Sequence, residues 1–357
     1  MTRNNLIAPE VKYMTRCFEL AELGMGSVSP NPLVGSVVVH NGKIAGEGYH
    51  QQYGKAHAEV NAINDVIRRY PNNFEEILRQ SAIYVNLEPC SHFGKTPPCS
   101  DLIIKYGIPH VVIGSPDPFD SVNGKGILKL RNAGITVTEN FCLEQSNFIN
   151  RRFFTRITKQ RPYIILKWAQ TADGYFAPAD RSQKWITGPE AKVLTHKWRT
   201  EEDAILVGKT TAVSDNPQLN VRQWFGRDPV RIVIDKNLEL PLSSNLLDQS
   251  QSTIVFNAHK TAYNGLIKYL EIENFDHYLP QMIAYQLYIL DIQSVIIEGG
   301  AATLDLFIKA DLWDEARIFI SDQHWGQGLN APTLHVGKEE VFTIGKDRLH
   351  ILFHANP

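Results

Sequence analysis

Two short stretches of the sequence decide how the first half of the chain folds: residues 57–60, HAEV, and residues 88–99, EPCSHFGKTPPC. Together they supply one imidazole, from His57, and two thiols, from Cys90 and Cys99. Zinc binds this kind of donor set, and three protein ligands leave the fourth tetrahedral position to water, as in catalytic sites. The pattern therefore predicts a catalytic zinc site. The alternative is a pair of cysteines that are buried for packing alone.

Both stretches lie where helices are expected to begin. Because side chains at i and i+2 diverge in a helix interior, His57 and Glu59 can converge only at the N-terminal tip of a helix. Cys99 follows two prolines, which also predicts a helix start, where the helix dipole favours a thiolate. Zinc lowers the pKa of bound water towards ~7, and Glu59 beside the metal can move a proton from that water to a leaving nitrogen. An H-x-E triplet followed by P-C…C is typical of zinc-dependent base deaminases.

Outward from these stretches, the sequence alternates helical and strand patterns. Residues 9–24 predict a helix, and Asn41-Gly42 is the preferred two-residue turn of a hairpin between strands at 33–40 and 43–50. Strands separated by helices imply a sheet covered by helices on both faces, which is an α/β sandwich. The first helix is expected to bury Val11, Met14, Phe18 and Ala21. Further elements are predicted at residues 57–70 (helix), 82–87 (strand), 99 onward (helix) and 110–115 (strand).

The composition is that of an ordinary globular protein. At 357 residues the chain is long enough for two or three domains, and 43% hydrophobic residues exclude a disordered chain. The 36 Lys and Arg residues against 38 Asp and Glu leave a formal net charge of -2, so no global basic field favours nucleic acid. No apolar run approaches the ~18 residues of a membrane span, and the N-terminus lacks a secretory signal pattern. The expected location is the cytoplasm, with no membrane contact.

A basic segment separates the two halves. Residues 148–162, FINRRFFTRITKQRP, carry five basic residues and are predicted to form a solvated helix and linker, with a nucleic-acid patch as the alternative. The first domain then spans residues 1–147 and the second residues 163–357. Strand-like runs interleaved with helical segments predict a second α/β domain. These runs lie at residues 163–168, 204–208, 230–235, 252–256, 294–300 and 316–321.

The motifs around the predicted zinc site resemble those of the RibD family, bifunctional enzymes of riboflavin biosynthesis that join a pyrimidine deaminase to a pyrimidine reductase. Besides HAEV and EPCSHFGKTPPC, residues 30–35, PNPLVG, and 48–50, GYH, carry the resemblance. It implies a cytidine-deaminase-like three-layer fold for the first domain. The usual second half of the zinc motif is P-C-x-x-C, whereas eight residues separate Cys90 from Cys99 here, which narrows the resemblance to this family.

The resemblance also implies that Asn31, His50 and Lys95 contact the pyrimidine or its ribose phosphate. Asn31 can pair with an amide edge, and Lys95 can meet a phosphate as a point charge. Both of the other interpretations stay open at this point: Asn31 as a turn residue before Pro32, and His50 as a histidine at a strand end.

The second half is similar to the reductase half of the same family, so the resemblance covers nearly the whole chain. It implies a dihydrofolate-reductase-like α/β domain that uses NADPH to reduce a ribosylamino group to a ribitylamino group. The implied cofactor contacts are Ala169, Trp185, Thr211, Asp215, Gly300, Ala301, Ala302 and Thr303. The implied substrate contacts are Lys167, Gln183, Arg199, Leu219, Arg222 and Glu298.

One feature of this half points to a cofactor without the resemblance. Residues 294–307, SVIIEGGAATLDLF, predict a buried strand that passes through Gly299-Gly300 into a helix, whose N-terminal N–H groups suit phosphates. A G-x-G-x-x-G motif is absent, and a strand-to-helix turn without a ligand is the alternative. Taken singly, the charged residues of this half are also consistent with surface charges.

Three positions depart from the family pattern. Gln183 stands where relatives tend to have Ser, two residues before the Trp of W-I-T. Lys236 stands where a cofactor-facing Ser or Thr is usual, and Phe119 where an Asn is expected after Asp-Pro. Each changes one local contact, and none touches the predicted zinc ligands.

The expected function is therefore zinc-dependent deamination of a diaminopyrimidinone ribosylamine phosphate followed by NADPH-dependent reduction of its ribose. One alternative is a nucleic-acid-editing zinc deaminase, which needs clustered basic and aromatic residues beyond 151–161 that the sequence does not offer. Another is a zinc-stabilised scaffold with His92 as a fourth ligand. The expected partners are the small phosphorylated pyrimidine and, because reductase halves of this family commonly associate, a second copy of the chain.

Overall fold

The computed structural model describes residues 9–91, 97–119, 123–180 and 184–355. The chain divides into two compact units, Met1–Lys159 and Gln160–Pro357. The division falls inside the segment 148–162, for which the sequence predicts a linker. None of the helices in the described ranges combines the length and the apolar character that a membrane crossing requires.

The first unit is a five-stranded sheet between two layers of helices, in the described part of the chain. The strands are ordered β2-β1-β3-β4-β5. Asn41 and Gly42 have φ values of 50° and 71°, so the hairpin turn has the left-handed conformation that this pair favours. The strands are β1 Gly35–His40, β2 Lys43–Tyr49, β3 Ser81–Val85, β4 His110–Ile113 and β5 Thr136–Thr138. The helices are α1 Val11–Glu22, α2 Ala58–Arg69, α3 Phe74–Arg79, α4 Cys99–Tyr106, α5 Lys125–Asn132, α6 Leu143–Ile149 and α7 Arg151–Lys159.

The two faces of this sheet carry separate hydrophobic clusters. Because successive strand residues point to opposite faces, Val38 packs with α2, α4 and α5, whereas Val37 packs with α1. This arrangement confirms the predicted α/β sandwich. The predicted buried face of α1 is wrong at Val11, which is 61% exposed. Tyr13 and Cys17 are buried besides the predicted Met14 and Ala21, because they pack against Val37 and Tyr84 of the sheet. The Tyr13 hydroxyl also donates to the carbonyl oxygen of Gly42 at 2.7 Å.

The segment 148–162 is mostly helical. Helix α7 buries Arg152, Phe153 and Thr155, so the expectation of a solvated helix is wrong for this inner face. Asn150, at the junction of α6 and α7, donates to the carbonyl oxygen of Leu33 at 3.0 Å and accepts from the Leu33 N–H at 2.8 Å. These bonds attach the start of α7 to the residues directly before β1.

The second unit has one large mixed sheet with the strand order β11-β12-β10-β9-β8-β13-β6-β14-β17-β16. The central strands pair in parallel, and a hairpin of two antiparallel strands forms one edge. The strands are β6 Tyr163–Gln170, β7 Tyr175–Ala177, β8 Ala204–Gly208, β9 Val230–Ile234, β10 Thr253–Asn257, β11 Ala262–Asn264, β12 Ile267–Glu271, β13 Ser294–Ile297, β14 Glu315–Ile320, β15 Leu329–Asn330, β16 Lys338–Ile344 and β17 Asp347–Phe353. The helices are α8 Pro189–Glu201, α9 Lys209–Asp215, α10 Leu279–Ile289 and α11 Ala301–Lys309, with a 3₁₀ turn at Asn245–Leu247.

All six strand-like runs that the sequence predicts in this half are strands. Helices α10 and α11 cover one face of the sheet, and α8 and α9 cover the other. Parallel strands that are covered on both faces read as continuous apolar runs, which explains why these strands are visible in the sequence. The carboxyl ends of β6, β8 and β13 lie side by side, and two of the residues predicted to bind substrate lie at these ends: Lys167 on β6 and Glu298 directly after β13.

Candidate active sites

Three potential metal ligands converge in the first unit. His57 directly precedes α2, Cys99 is the first residue of α4, and Cys90 follows β3. Their ligand atoms all lie within 4.8 Å of one another. His57 Nδ1 is 3.6 Å from Cys90 Sγ and 3.3 Å from Cys99 Sγ. Ligands at usual Zn–N and Zn–S distances in a tetrahedron are roughly 3.6 Å apart, so the donor set fits zinc.

The surroundings of Cys90 favour the thiolate form of its side chain, whereas those of Cys99 favour the thiol. The hydrogen bond with Cys99 is the main reason why the pKa of the Cys90 thiol is lowered to about 4. The backbone N–H of Cys99, at the N-terminus of α4, donates to Cys90 Sγ at 3.3 Å. The pKa of Cys99 itself is raised, because its proton is held by Cys90 and its thiol is buried. The hydrogen bond with Cys90 likewise raises the pKa of His57 to about 9. A metal cation that binds these three groups takes the place of the shared protons.

Glu59 lies in the first turn of α2 beside this donor set. Its side chain is buried, and burial raises its pKa to about 7. A carboxyl group with a pKa near neutrality can both accept and release a proton under physiological conditions. The structure therefore puts His57, Cys90, Cys99 and Glu59 together, as the sequence predicts.

A cavity of about 410 Å³ is lined by three of these residues, His57, Glu59 and Cys90. Asn31 and His50 both line it, and Asn31 Nδ2 lies 3.0 Å from His50 Nε2. His50 Nδ1 is 3.0 Å from the carbonyl oxygen of Ala56, so Nδ1 carries the proton and Nε2 accepts from Asn31. Burial lowers the pKa of His50, which keeps this ring neutral. The contact with His50 orients the Asn31 side-chain amide. Because Asn31 also lines the cavity, the geometry favours ligand binding by Asn31 over the alternative that it only forms a turn before Pro32.

The cavity is also lined by residues that the sequence analysis did not assign to this site. Helix α7 contributes Phe153, Arg156 and Ile157, and the loop after β4 contributes Asp117 and Phe119. Burial raises the pKa of Asp117 to about 6. The spacing of the α7 residues, i, i+3 and i+4, is that of one helix face and was the signal available in the sequence. Lys95 and His92 lie outside the described residues.

The second unit holds a buried cluster of charges at the carboxyl ends of its parallel strands. Arg199 of α8 donates to Glu298, which follows β13, at 2.8 Å. Burial lowers the pKa of Lys167 on β6, although the Glu298 charge opposes this shift. Burial alone would raise the pKa of Glu298, but the charges of Arg199 and Lys167 outweigh it and lower the pKa. Glu298 Oε1 and Arg199 Nε are buried without a hydrogen-bond partner among the described residues, which is typical of groups that await a ligand.

His196 is a further member of this cluster that the sequence analysis did not identify. Its Nδ1 accepts the backbone N–H of Arg222 at 3.3 Å. Burial, together with the charges of Arg199 and Arg222, lowers the pKa of His196 to about 4. Leu219, on the same loop as Arg222, is buried and has a φ of 52°. The neutral imidazole thus fixes the loop that carries the predicted substrate residues Leu219 and Arg222.

The predicted cofactor residues lie next to this cluster. Helix α11 begins at Ala301 with Gly300 as its N-cap, and the Gly300 N–H donates to Thr211 Oγ1 at 2.9 Å. A Cβ atom on Gly208 would lie 2.3 Å from Thr303 Oγ1, so β8 and α11 approach closely only because Gly208 has no side chain. The first-turn N–H groups of a helix lack intrahelical partners and suit a phosphate.

The other predicted contacts are less tightly grouped. Ala169 is partly buried on β6, and Asp215 ends α9 at the surface. Trp185 is 67% exposed and lies under the Lys192 ammonium group at 4.8 Å. Lys236 forms an ion pair with Asp276 at 2.7 Å. Gln183 lies outside the described residues.

Comparison with known proteins gives consistent results for both units. The protein-family model described as "Cytidine and deoxycytidylate deaminase zinc-binding region" matches residues 8–115. The family model described as "RibD C-terminal domain" matches residues 162–342. The riboflavin biosynthesis protein RibD of Aquifex aeolicus is 41% identical over 352 residues, covering 94% of this chain and 96% of the relative. That of Actinobacillus pleuropneumoniae is 44% identical over 365 residues, covering 97% and 90%.

Solved structures agree with these sequence relatives. The crystal structure of a diaminohydroxyphosphoribosylaminopyrimidine deaminase/5-amino-6-(5-phosphoribosylamino)uracil reductase from Thermotoga maritima superposes with a TM-score of 0.86 at 35% identity, covering 96% of this chain and 98% of that chain. A structure of Acinetobacter baumannii RibD gives a TM-score of 0.85 at 31% identity with the same coverage.

Proposed function

Because the chain belongs to the RibD family of bifunctional riboflavin-biosynthesis enzymes, we propose that its two units divide the two reactions of that family between them. The enzyme deaminates a diaminopyrimidinone ribosylamine 5′-phosphate and reduces the ribosyl side chain with NADPH. The first unit carries the deaminase site and the second the reductase site. The observation that carries this assignment is the convergence of His57, Cys90 and Cys99 beside Glu59, at a cavity that His57, Cys90 and Glu59 line.

In the deaminase site, His57, Cys90 and Cys99 are the residues that would hold zinc. Bound zinc supplies a Lewis acid that lowers the pKa of water towards ~7. Glu59 accepts the proton of the attacking water and delivers it to the amino group that leaves as ammonia. Its pKa of about 7 allows both transfers within one turnover.

The other walls of the cavity recognise the substrate. Since the Asn31 NH₂ group is engaged by His50, its Oδ1 faces the cavity as an acceptor for a ring N–H. Lys55 and Arg156 are cations of the described cavity wall, and a phosphate is the anionic part of the substrate. We assign the phosphate to Arg156, the more buried of the two, with Lys95 as a further predicted contact.

In the reductase site, Lys167, Arg199, Glu298 and Arg222 surround the substrate. The Arg199–Glu298 pair and Lys167 fix a polar floor at the ends of β6 and β13, with one carboxylate oxygen available to a sugar hydroxyl. Bound NADPH supplies the hydride. The first turn of α11, from Gly300 to Thr303, holds a cofactor phosphate through its N–H groups, with Thr211 fixing the Gly300 amide.

A free phosphorylated pyrimidine is a better substrate for this cavity than a nucleic acid. The cavity volume of about 410 Å³ suits a small ligand, and the net charge of -2 gives no general attraction for a polyanion. Reduced cysteines as metal ligands support a cytoplasmic location. Association of the chain with a second copy of itself stays a prediction.

The direct test is product analysis. The purified protein is incubated with the diaminopyrimidinone ribosylamine phosphate, with and without NADPH, and the products are identified by mass spectrometry. Without NADPH we expect only the deaminated ribosyl compound, and with NADPH the deaminated ribityl compound. Recovery of unchanged substrate in both reactions would refute the assignment, whereas RNA binding with strong salt dependence would favour the editing alternative.

A further inference from the structure

Glu88, two residues before Cys90, has a side chain that the reaction scheme does not use. It is 4% exposed, and both of its carboxylate oxygens accept backbone hydrogen bonds. Oε2 accepts from the N–H groups of Asp117 at 3.3 Å and Gly124 at 2.9 Å. Oε1 accepts from those of Gly126 at 2.9 Å and Ile127 at 3.2 Å. Four donors from a distant part of the chain therefore meet one carboxylate.

These donors belong to two structures around the deaminase cavity. Gly124 is the N-cap of α5, with a φ of 75° and no side chain of its own to cap the helix, and Gly126 and Ile127 lie in the first helical turn. Glu88 thus caps α5 from outside, where a negative charge also suits the helix dipole. Asp117 lies in the cavity wall. The Glu88 carboxylate consequently joins two structures, helix α5 and the cavity wall at Asp117–Phe119, to the segment that runs from Glu88 to Cys90. This segment is called the Cys90 arm.

A second observation indicates the same contact. A Cβ atom on Gly126 would lie 2.2 Å from the carbonyl oxygen of Pro89, the residue directly before Cys90. Helix α5 therefore touches the backbone of the Cys90 arm without an intervening side chain. On the other side of Glu88, its backbone N–H donates to the carbonyl oxygen of Ser115 at 2.9 Å.

We infer that Glu88 is a positioning residue of the deaminase site: its carboxylate holds the Cys90 arm and the Asp117–Phe119 wall in one fixed arrangement. The inference rests on the proposed function for its kinetic consequences only. The Cys90 arm and the Asp117–Phe119 wall both border the cavity that would hold the pyrimidine ring. They keep a fixed separation because the Glu88 carboxylate belongs to the arm and is hydrogen-bonded to the wall. A misplacement of about 1 Å at such a site costs on the order of a hundredfold in rate.

The variant Glu88→Gln separates this role from simple space filling. Glutamine has the same shape, but its NH₂ group faces two backbone N–H donors in place of an acceptor, so one pair of bonds is lost and the donors repel. We expect faster amide hydrogen exchange in residues 117–119 and 123–127, measured on the full chain by mass spectrometry. Ligand-field absorption of the cobalt(II)-substituted protein should shift, because the Cys90 sulfur moves. The deaminase kcat should fall about tenfold or more, because the reacting groups are misplaced, while reductase kinetics stay at the wild-type level.

The matched control is Asp65→Asn. Asp65 is also a buried carboxylate of the first unit, it accepts the Glu47 N–H at 3.1 Å and pairs with Arg69 at 2.7 Å, and it does not line the cavity. We expect this control to lower the unfolding temperature without altering the cobalt spectrum or the deaminase kcat. If Glu88→Gln behaves as this control does, Glu88 is only structural and the inference is overturned.

A second variant keeps the test decisive if Glu88→Gln does not fold. Gly126→Ala retains the carboxylate but forces α5 away from Pro89, and it should give the same changes in amide exchange and cobalt absorption. Wild-type exchange and spectrum in this variant would overturn the inference. If the wild-type protein releases no ammonia, the proposed function fails, but the exchange and cobalt measurements still decide the role of Glu88.

Discussion

At the scale of single residues, Arg156 connects helix α7 to the deaminase cavity. It lies one turn after Phe153, which is buried, and beside Ile157, so the three side chains form the inner face of the helix. A guanidinium group can bind a phosphate through two parallel hydrogen bonds and retains its charge at every relevant pH. Arg156 lines the same cavity as Glu59, which suits the phosphate group of the proposed substrate.

Replacement of Arg156 should therefore affect binding more than chemistry. We expect Arg156→Gln to raise the deaminase KM about tenfold to a hundredfold, the loss expected for a charge-assisted hydrogen bond, with kcat little changed. Steady-state ammonia release measures both constants. Arg151→Gln is the control, because Arg151 stacks on Phe148 with its guanidinium carbon 4.2 Å from the ring centroid and does not line the cavity. Equal KM values for the wild type and Arg156→Gln would show that the phosphate binds elsewhere.

His196 predicts a pH dependence for the second unit. Its folded-state pKa of about 4 lies below the usual value of 6.5, so protonation favours the unfolded chain. Its contribution to stability is complete above pH 6.5 and is lost as the pH falls towards 4. In His196→Asn, the amide oxygen can still accept the Arg222 N–H but does not titrate. As the pH is lowered from 7 to about 4, the unfolding temperature of the second unit should thus fall less steeply in the variant than in the wild type. Parallel curves would exclude this role of His196.

The residues of the zinc motif could be predicted from the sequence, because ligand chemistry requires particular side chains at helix starts. Glu59 was predictable for the same reason. Arg156 shares a helix face with Phe153 and Ile157, but its basic neighbours obscured that spacing. Glu88 was not predictable, since it acts on a distant part of the chain and a long-range contact leaves no local pattern. His196 is missed because an imidazole inside a helix has no special spacing.

At the scale of elements, the metal ligands join the N-termini of α2 and α4 to the arm after β3. Helix α2 begins at the site with His57 as its N-cap, and α4 begins there with Cys99 as its first residue, so a bound ion would add a further link to the hydrogen bonds that these elements already share. The two units have separate hydrophobic clusters. Metal binding should therefore stabilise the first unit alone.

Metal removal tests this expectation. Dialysis against a chelator should lower the unfolding temperature of the first unit by about 5–10 °C and leave that of the second unit unchanged. Differential scanning calorimetry resolves the two transitions, and zinc added back should restore the first one. An unchanged first transition after verified metal loss would contradict a metal that links these elements.

Strands in the parallel centre of the large sheet were predictable, because burial on both faces produces continuous apolar runs. The hairpin of β16 and β17 was not predicted. Strand β16 lies at the sheet edge and is mostly exposed, with charged residues at Lys338, Glu339 and Glu340, so its sequence has no apolar run. Helix α7 was predicted as a helix, but its buried face was not, because its basic residues obscured the spacing of the apolar ones.

At the scale of the whole molecule, the chain combines two chemistries that need different environments. Hydrolytic deamination is assigned to the first unit, where the proposed metal ligands and Glu59, a carboxyl group with a pKa near 7, lie at the starts of α2 and α4 and after β3. Hydride transfer uses a buried set of fixed charges at strand ends in the second unit. The residues proposed for each reaction come from one unit, in the described part of the chain. Loss of one activity should leave the other intact.

The measurement that tests this account most directly compares both activities in Glu59→Gln. Ammonia release from the diaminopyrimidinone ribosylamine phosphate is measured alongside NADPH oxidation with the deaminated compound as substrate. We predict that ammonia release falls by a factor of about 10²–10⁴, the usual contribution of a general acid/base, while NADPH oxidation remains at the wild-type rate. Loss of both activities together, or ammonia release at the wild-type rate, would contradict two separate sites with Glu59 as the proton carrier of the first.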